Sequence, residues 1–421
     1  MKRSILLTLT VLSGLLALTS CHTTVENSCL FRKHVDSETG VVSYVLKEGV
    51  FDENSQSLYF TNKSMTNDGR FILAHFSNNE ARNHHKRIDL CVIDIENDAV
   101  IPFKLMRHTC PFLDPETDIV YYYRLRENPG FYKRELLGDI TKEIKICDLP
   151  KELTSLGKIR NICTHLTLNH DRTKAFLDTR VGDRFIQGLM NFEDGSFDIW
   201  SETNYNLNHG MIHPLRDDIA LAAYETDWVD SLGVCHKKEK INGFIPRHEI
   251  CTKGNIEHWP HLEGYKTYHE RWDENGDGFY YCEESVYYQD LKTRKITKVS
   301  PMGIHPFMTK DLKYVVSDQY IDNYYRGHAW RVYFFNRETN QGIFIHSFSP
   351  AVATVQDPSD IHPDPHPQFV CNDKYVICTF NGIDGNTHLS VTPVKQLIRK
   401  TSKKLSYPAE LQFQLEQLDQ Q

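Results

Sequence analysis

The chain has 421 residues and a net charge of −8, with acidic and basic residues interspersed along its length. No long basic run occurs, which argues against a nucleic-acid partner. A chain of this length can hold two or three average domains, or a single large all-β architecture.

The N-terminus has the layout of an export signal. Lys2 and Arg3 precede a mostly apolar run from Ile5 to Leu18, and small residues lead to Cys21. This order is typical of a signal peptide, and the residues before Cys21 resemble a bacterial lipobox. Residues 1–21 are therefore predicted to be a lipoprotein signal, with the protein exported to the outer membrane, cell surface or periplasm through a lipid anchor. An ordinary secretory signal cleaved nearby is the alternative.

A unit of two strand-like segments joined by a polar turn recurs seven times, and six of the seven copies open on a histidine. The copies begin at Asn62, His108, His165, His209, His269, His305 and His366. A repeat of roughly 40–50 residues built from short strands is typical of a β-propeller with four-stranded blades. The sequence thus predicts an all-β, seven-bladed β-propeller of antiparallel blades over residues 22–400, with a polar tail over 401–421. Equivalent histidines would then converge on the central axis.

Two features outside the repeat bear on how the ring is built. Val41 to Leu46 is a predicted strand in the lead-in, and strand donation by the lead-in or the tail is expected to close the ring. The stretches 210–260 and 318–365 exceed a minimal blade connection and are expected to hold long loops over one face, where binding groups are usually carried.

Two copies suggest a metal site. Each has a cysteine 12 or 13 residues after the opening histidine, which gives the pairs His269 with Cys282 and His366 with Cys378. Residues opposed on paired antiparallel strands point to the same side of a sheet, and two nitrogens with two thiolates form a tetrahedral set suited to zinc. The alternative is that both cysteines are small buried apolar residues. Further candidate ligands are His305 and His362.

The turn of the fifth copy admits two interpretations. The segment from Asp273 to Gly278, followed by Glu284, matches the calcium-loop pattern of an EF-hand. An EF-hand needs flanking helices, whereas this segment runs directly into strand-like residues and contains Asp-Gly, a favoured hairpin turn. A hairpin is therefore predicted, with turn-bound calcium as the alternative.

Three segments carry a family resemblance: NLNHGMIHPLRDDIALAAYETDW, YHERWDENGDGFYYC and HPDPHPQFVCNDKYVICTFN. They resemble the seven-bladed propeller polysaccharide lyases, which include oligogalacturonate lyases and ulvan lyases, and the likeness extends over residues 60–390. The resemblance implies β-elimination at a 4-linked uronic acid of an ulvan-like or pectin-derived glycan. A base removes the C5 proton, a cation or metal neutralises the carboxylate, and an acid protonates the departing oxygen. The expected partner is an anionic uronate polysaccharide or oligosaccharide, bound by a monomer.

The resemblance also assigns catalytic candidates to matching positions of this chain. They are His84 or His85, His108, Arg180, His209, Tyr224 and Arg247. His84 or His85 and His108 are expected as base and acid, and Tyr224 is an alternative acid–base group. An arginine suits neutralisation of a carboxylate, which is the role expected of Arg180 or Arg247.

The metal implied by the resemblance differs between branches. In oligogalacturonate lyases, histidines and a glutamine around an H-P-H-P motif hold it. This chain has His362-Pro-Asp364-Pro-His366-Pro there, so Asp364 replaces one histidine. The His/Cys pairs look more like the structural zinc of the ulvan-lyase branch. Zinc is therefore predicted, with calcium and manganese as alternatives.

Two other functions remain open on sequence grounds. Many propellers are non-catalytic surface modules that bind glycans or proteins. A hydrolase with paired carboxylates is disfavoured because the copies place no Asp or Glu at recurrent inward positions. The sequence contains no G-x-S-x-G motif, so a propeller-capped serine peptidase is unsupported.

Overall fold

The computed structural model describes residues 23–78, 88–104, 111–225, 227–237, 240, 246–260, 267–283, 285–321, 329–351 and 364–402. The signal segment, most of the C-terminal tail and four of the candidate histidines lie outside these ranges. Those histidines are His84, His85, His108 and His362.

The first three blades are consecutive in sequence and follow two N-terminal strands. The N-terminal strands are β1 (Phe31–Val35) and β2 (Val42–Leu46). Blade 1 consists of β3 (Asn54–Gln56), β4 (Phe71–Ser77), β5 (Ile88–Asp94) and β6 (Ala99–Pro102). Blade 2 consists of β7 (Phe112–Asp114), β8 (Ile119–Arg124), β9 (Gly130–Glu135) and β10 (Ile144–Cys147). Blade 3 consists of β11 (Ile159–Asn161), β12 (Thr167–Leu168), β13 (Lys174–Val181), β14 (Arg184–Asn191) and β15 (Phe197–Thr203).

The next three blades repeat the pattern. Blade 4 and its inserted hairpin consist of β16 (Leu207–Ile212), β17 (Ala220–Tyr224), the hairpin strands β18 (Trp228–Val229) and β19 (Cys235–His236), β20 (His248–Thr252) and β21 (Asn255–Trp259). Blade 5 consists of β22 (Tyr268–Trp272), β23 (Gly278–Cys282), β24 (Val286–Asp290) and β25 (Ile296–Ser300). Blade 6 consists of β26 (Phe307–Met308), β27 (Tyr314–Tyr320), β28 (Trp330–Asn336) and β29 (Gln341–Ser349).

Blade 7 joins the two ends of the chain. Its C-terminal strands are β30 (Gln368–Val370), β31 (Tyr375–Asn381) and β32 (Thr387–Pro393). The N-terminal strands complete the sheet in the order β1-β2-β32-β31-β30, with Tyr44 opposite Val391 and Val45 opposite Ser390. The predicted lead-in strand is therefore the one that closes the ring. The seven sheets confirm the predicted seven-bladed propeller.

Helical structure is minor in the described part of the chain. It consists of a single 3₁₀ turn (Ile140–Lys142), α1 (Lys151–Thr154) and α2 (Val394–Thr401). Helix α2 follows β32 directly and buries Val394 and Leu397 against blade 6. No helix among the described residues has the length and apolar character needed to cross a membrane, and no disulfide joins the nine described cysteines.

The hydrophobic core lies between neighbouring sheets, because alternate residues of each strand face one of the two adjacent blades. Between blades 6 and 7, Phe307 and Phe334 pack with Phe369, Val376 and Cys378. Stacking of blades in this way leaves the first residues of each inner strand at one end of the central axis. That end is where the repeat places its histidines.

The inner strands carry an irregularity at the opening histidine. The pairing register shifts between Asn208 and Met211 in blade 4, and between Tyr268 and Arg271 in blade 5. His209 and His269, which lie in these shifts, have left-handed φ angles of 52° and 59°, and His366 has a φ of 45°. Such bulges re-aim side chains, and left-handed backbone is rare for a residue that is not glycine. The repeat therefore encodes a backbone conformation as well as a residue type.

The turn of blade 5 is the predicted hairpin. Asp273 accepts hydrogen bonds from the backbone N–H groups of Asn275 and Asp277 through Oδ1, and its Oδ2 accepts from the Tyr288 hydroxyl at 2.6 Å. Strands β22 and β23 flank this turn directly. The Asp273 carboxylate therefore stabilises the hairpin turn.

Candidate active site

Five histidines from blades 3 to 7 converge around Tyr59, which follows β3 in blade 1. They are His165, His209, His269, His305 and His366. The Tyr59 ring lies parallel to the His165 ring at a centroid distance of 4.5 Å and edge-on to His366 at 4.7 Å. Among the histidines themselves, the His305 ring centroid lies 4.0 Å from that of His269 and 4.4 Å from that of His366. The predicted convergence of the opening histidines therefore holds for these five blades, and we call this set the histidine ring.

His165 and His209 form a contacting pair within the ring. Nε2 of His165 lies 3.3 Å from Nδ1 of His209. Burial lowers the pKa of His165 well below its ordinary value, and the neighbouring His209 lowers it further. Burial likewise lowers the pKa of His209. Both imidazoles are therefore neutral near pH 7, which is the form that accepts a proton.

A buried carboxylate, Asp178 on β13, fixes the backbone beside both members of the pair. It accepts hydrogen bonds from the Thr164 backbone N–H at 2.7 Å, from the Thr164 hydroxyl at 2.6 Å and from the Gly210 N–H at 3.3 Å. Thr164 immediately precedes His165, and Gly210 immediately follows His209. Burial raises the pKa of Asp178 to about 6, against the lowering effect of these donors.

Arg247 is buried beside the ring and is bound by two carboxylates of the protein. Its guanidinium donates to Glu270 at 3.0 and 3.1 Å and also to Glu225. Glu225 in turn lies 3.9 Å from Nε2 of His209. One guanidinium against two carboxylates leaves this group with a net negative charge. Arg247 was expected to neutralise a substrate carboxylate. In this fold its guanidinium already binds the carboxylates of Glu225 and Glu270.

Three side chains of the ring region form a group that could hold a metal ion. One ligand atom each from His305, Asp364 and His366 lies within 4.8 Å of the other two. Asp318 supports two of them: its carboxylate lies 2.9 Å from Nδ1 of His305 and accepts from the backbone N–H of His366 at 3.1 Å. A carboxylate behind a metal-binding histidine fixes the ring and its tautomer. Two imidazoles and a carboxylate suit a divalent metal such as manganese or zinc.

The four residues of the predicted zinc set are not brought together in this way. The Cys282 sulfur lies 3.6 Å from Nδ1 of His269, but Cys378 belongs to the apolar cluster between blades 6 and 7. The register shift at His269 breaks the simple opposition of first residue and cysteine, because Tyr268 stands opposite Cys282. His366 instead joins His305 and Asp364, so the alternative ligand His305 is the one that the geometry favours.

Arg180 and Tyr224 have contacts away from the ring. Arg180 donates to the carbonyl oxygen of Val229 at 2.7 Å, and its guanidinium lies 5.1 Å from the Trp228 ring centroid. It thereby attaches the β18–β19 hairpin to blade 3. Tyr224 is buried in the cluster between blades 3 and 4, where its ring lies 4.6 Å from Tyr205.

The sequence indicated Asp364 only as the residue that replaces a histidine ligand, and several other residues of the site were not predicted. They are Tyr59, Asp178 as a support for the pair, Glu225, Glu270 and Asp318. Glu270 follows an opening histidine directly and could have been found from the repeat. Tyr59 precedes the first copy and carries no repeat signal. A second group of three, Glu48, Asp384 and His388, lies elsewhere, with both carboxylates exposed.

Comparison with solved structures identifies similar folds. An oligogalacturonate lyase in complex with manganese superimposes with a TM-score of 0.65 at 18% identity, covering 89% of this chain and 97% of that chain. An oligogalacturonate lyase from Vibrio parahaemolyticus gives a TM-score of 0.66 at 17% identity, covering 86% of this chain and 96% of that chain. No family model matches the chain, and no curated protein is similar to it in sequence. The resemblance found in the sequence thus extends to the whole fold: the chain is a seven-bladed β-propeller similar to those of two oligogalacturonate lyases.

Proposed function

We propose that this protein is a lyase that cleaves a 4-linked uronate glycan by β-elimination. The observation that carries the proposal is the histidine ring, in which a neutral imidazole pair and a metal-binding group both contact the Tyr59 side chain. The similar fold of two oligogalacturonate lyases supports the same class of reaction. A pectin-derived oligosaccharide is the substrate that these neighbours favour, and an ulvan-like polymer is the second candidate.

The charges of the site support a requirement for a cation. Five carboxylates among the described residues adjoin the ring and outnumber the guanidinium of Arg247. They are Asp178, Glu225, Glu270, Asp318 and Asp364. An anionic uronate would be repelled by this arrangement. A divalent cation held by His305, Asp364 and His366 would supply the positive charge that neutralises the substrate carboxylate and acidifies its C5 proton.

The donor set of this chain fits such a cation. Two imidazole nitrogens and a carboxylate oxygen match the preferences of manganese, and also of zinc. Manganese is the metal named for one of the similar oligogalacturonate lyases. We therefore infer a divalent metal at the ring, in place of a structural zinc held by the two cysteines.

The histidine pair supplies the base. His209 and His165 are half-buried, neutral and in contact with each other, so a proton taken up by one imidazole is shared with the second. Asp178 holds the backbone at both positions. A general base at this site contributes about 10²–10⁴-fold to the rate.

Export through a lipid anchor at Cys21 remains part of the proposal. The signal layout supports it, and a polymeric uronate substrate is met outside the cell. Acylation is tested by mass spectrometry of the membrane-extracted protein, in which Cys21→Ser should abolish the lipid adduct.

The function is tested by incubating the protein with polygalacturonate, its oligosaccharides and ulvan, with added manganese or zinc and with a chelator. A lyase produces rising ultraviolet absorbance from the unsaturated uronide, and the chelator should abolish it. His209→Ala should lower this rate at least about 100-fold, whereas the control His236→Ala, on the exposed hairpin, should not. New reducing ends without absorbance would identify a hydrolase, and binding without either signal would identify a non-catalytic propeller.

A further inference from the structure

Tyr59 occupies the centre of the histidine ring although it belongs to no repeat. Its ring contacts His165 and His366 at 4.5 and 4.7 Å, and His209 and His305 lie 6.1 and 6.3 Å away. It therefore stands between the proposed base pair and the proposed metal group.

The proposed elimination also needs a proton for the departing oxygen, and most neighbouring groups do not suit that task. His165 and His209 form the proposed base pair, and His305 and His366 belong to the proposed metal group. Glu225 and Glu270 are ion-paired with Arg247. A phenol keeps its proton at neutral pH and can release it to an oxygen anion.

We propose that Tyr59 is the general acid of the reaction, an inference that rests on the proposed lyase function. The histidine base removes the proton from C5, and the electron pair of that C–H bond forms the C4–C5 double bond. The C4–O4 bond breaks, its electron pair stays on O4, and the Tyr59 hydroxyl transfers its proton to O4. The Tyr59 phenolate is then reprotonated by solvent, and the base releases its proton, so the cycle consumes no co-reactant.

The test compares Tyr59→Phe with the matched control Tyr268→Phe. Tyr268 is also half-buried at the ring, but it contacts only His269 within the described histidines, at 5.8 Å. Each variant is assayed on the natural uronate oligosaccharide and on a synthetic uronide that carries a 4-nitrophenyl ether at C4. Nitrophenolate leaves as a stable anion and needs no proton, so its release measures the reaction without the acid step.

For Tyr59→Phe we expect kcat on the oligosaccharide to fall about 10²–10⁴-fold, with little change in KM and in manganese affinity. Its rate on the nitrophenyl ether should stay within a few-fold of wild type, and Tyr268→Phe should resemble wild type on both substrates. Full activity of Tyr59→Phe on the oligosaccharide, or an equal loss on both substrates, would overturn the assignment. A wild-type protein inactive on every uronate would instead refute the lyase function itself, and the assignment with it.

Discussion

At the scale of single residues, Asp178 shows how a side chain that touches no substrate can govern the site. Its carboxylate accepts three hydrogen bonds from residues adjacent to His165 and His209. In Asp178→Asn, the amide presents two N–H donors and one acceptor, so it cannot accept all three. Both imidazoles should then shift.

A displacement of about 1 Å can cost about 10²-fold in rate. We therefore expect Asp178→Asn to lower kcat by about 10–100-fold on a uronate oligosaccharide, measured by the absorbance assay. The control is Asp198→Asn, which removes an exposed ion pair with Lys253 and should change the rate little. Unchanged kcat in Asp178→Asn would mean that the pair is held by other contacts.

The proposed metal can be assigned to particular residues by elemental analysis. If His305, Asp364 and His366 are the ligands, purified wild type reconstituted with manganese or zinc should bind one ion per chain. Asp364→Ala and His366→Ala should lose it after dialysis, because removal of a ligand or its support typically lowers metal affinity by 10-fold or more. Cys378→Ser is the discriminating variant, since Cys378 lies in the core between blades.

Retention of the metal in Cys378→Ser is expected on the present geometry. Loss of zinc in that variant, with intact folding shown by circular dichroism, would restore the predicted set of two histidines and two cysteines. The two arrangements share His366, so His366→Ala alone does not separate them.

Among the individual elements, the blade 5 hairpin has a turn that must contain glycine because the neighbouring blade packs against it. Gly276 has a φ of 74°, and a Cβ added there would lie 2.1 Å from Cε1 of His213 in blade 4. His213 Nε2 lies 2.8 Å from the Gly276 carbonyl oxygen. The turn is therefore packed against the neighbouring blade as well as folded on itself.

Gly276→Ala should thus combine backbone strain with a steric clash and lower the free energy of unfolding by about 2–4 kcal/mol. Gly254→Ala is the matched control, because Gly254 has a φ of 76° but nothing within 4 Å of its added Cβ. It should cost only the backbone strain, about 1–2 kcal/mol. Urea unfolding followed by tryptophan fluorescence measures both; equal losses would show that His213 moves aside freely.

Elements are also where sequence reasoning succeeded and then reached its limit. Strand and turn periodicity depends on local residues, so the seven copies, the Val41–Leu46 strand and the hairpin at Asp273 could be predicted. The bulges at His209 and His269 could not, because an extra residue in a strand leaves no mark on the alternation of side chains. That single-residue displacement changed which residue stands opposite Cys282.

Residues of the site could be predicted only where they occupy a recurrent position of the repeat. Opening histidines mark their own positions, whereas Tyr59, Glu225 and Asp318 depend on which strands the ring brings together. Arg180 and Arg247 look alike in sequence, but the fold gives one a hairpin carbonyl and the other two buried carboxylates. Partner choice of this kind is set by tertiary packing, which composition and spacing do not encode.

At the scale of the whole molecule, closure of the ring determines the geometry of the site. Tyr59 belongs to blade 1 and His366 to blade 7, so their 4.7 Å contact crosses between the first and the last blade. Gln368 reinforces the same junction by donating to the Leu58 carbonyl oxygen at 2.8 Å. Within blade 7, the N-terminal and C-terminal strands are joined by the pairing of β2 with β32, and the Ser43 and Thr392 hydroxyls, 2.7 Å apart, add a side-chain contact across it.

Val45 lies in the middle of that pairing, opposite Arg32 on one side and Ser390 on the other, and it is fully buried. Proline there removes a backbone N–H and does not fit an internal strand. Val45→Pro should therefore lower the free energy of unfolding by about 1–3 kcal/mol, the cost of leaving a buried backbone group without its hydrogen bond, measured in urea. The control Val35→Pro lies at the end of the outermost strand β1, where the side chain is 51% exposed, and should cost much less.

The variant Val45→Pro also tests how closure of the propeller is coupled to the geometry of the site. If the β2–β32 pairing maintains the contact between Tyr59 and His366, the folded fraction of Val45→Pro should have a lower kcat and bind manganese more weakly than an equal amount of folded Val35→Pro. If the contacts of Gln368 and the cores between blades hold the junction on their own, stability should fall while both functional constants stay at the wild-type level. Measuring kcat and metal affinity on protein that urea titration shows to be folded decides between these outcomes.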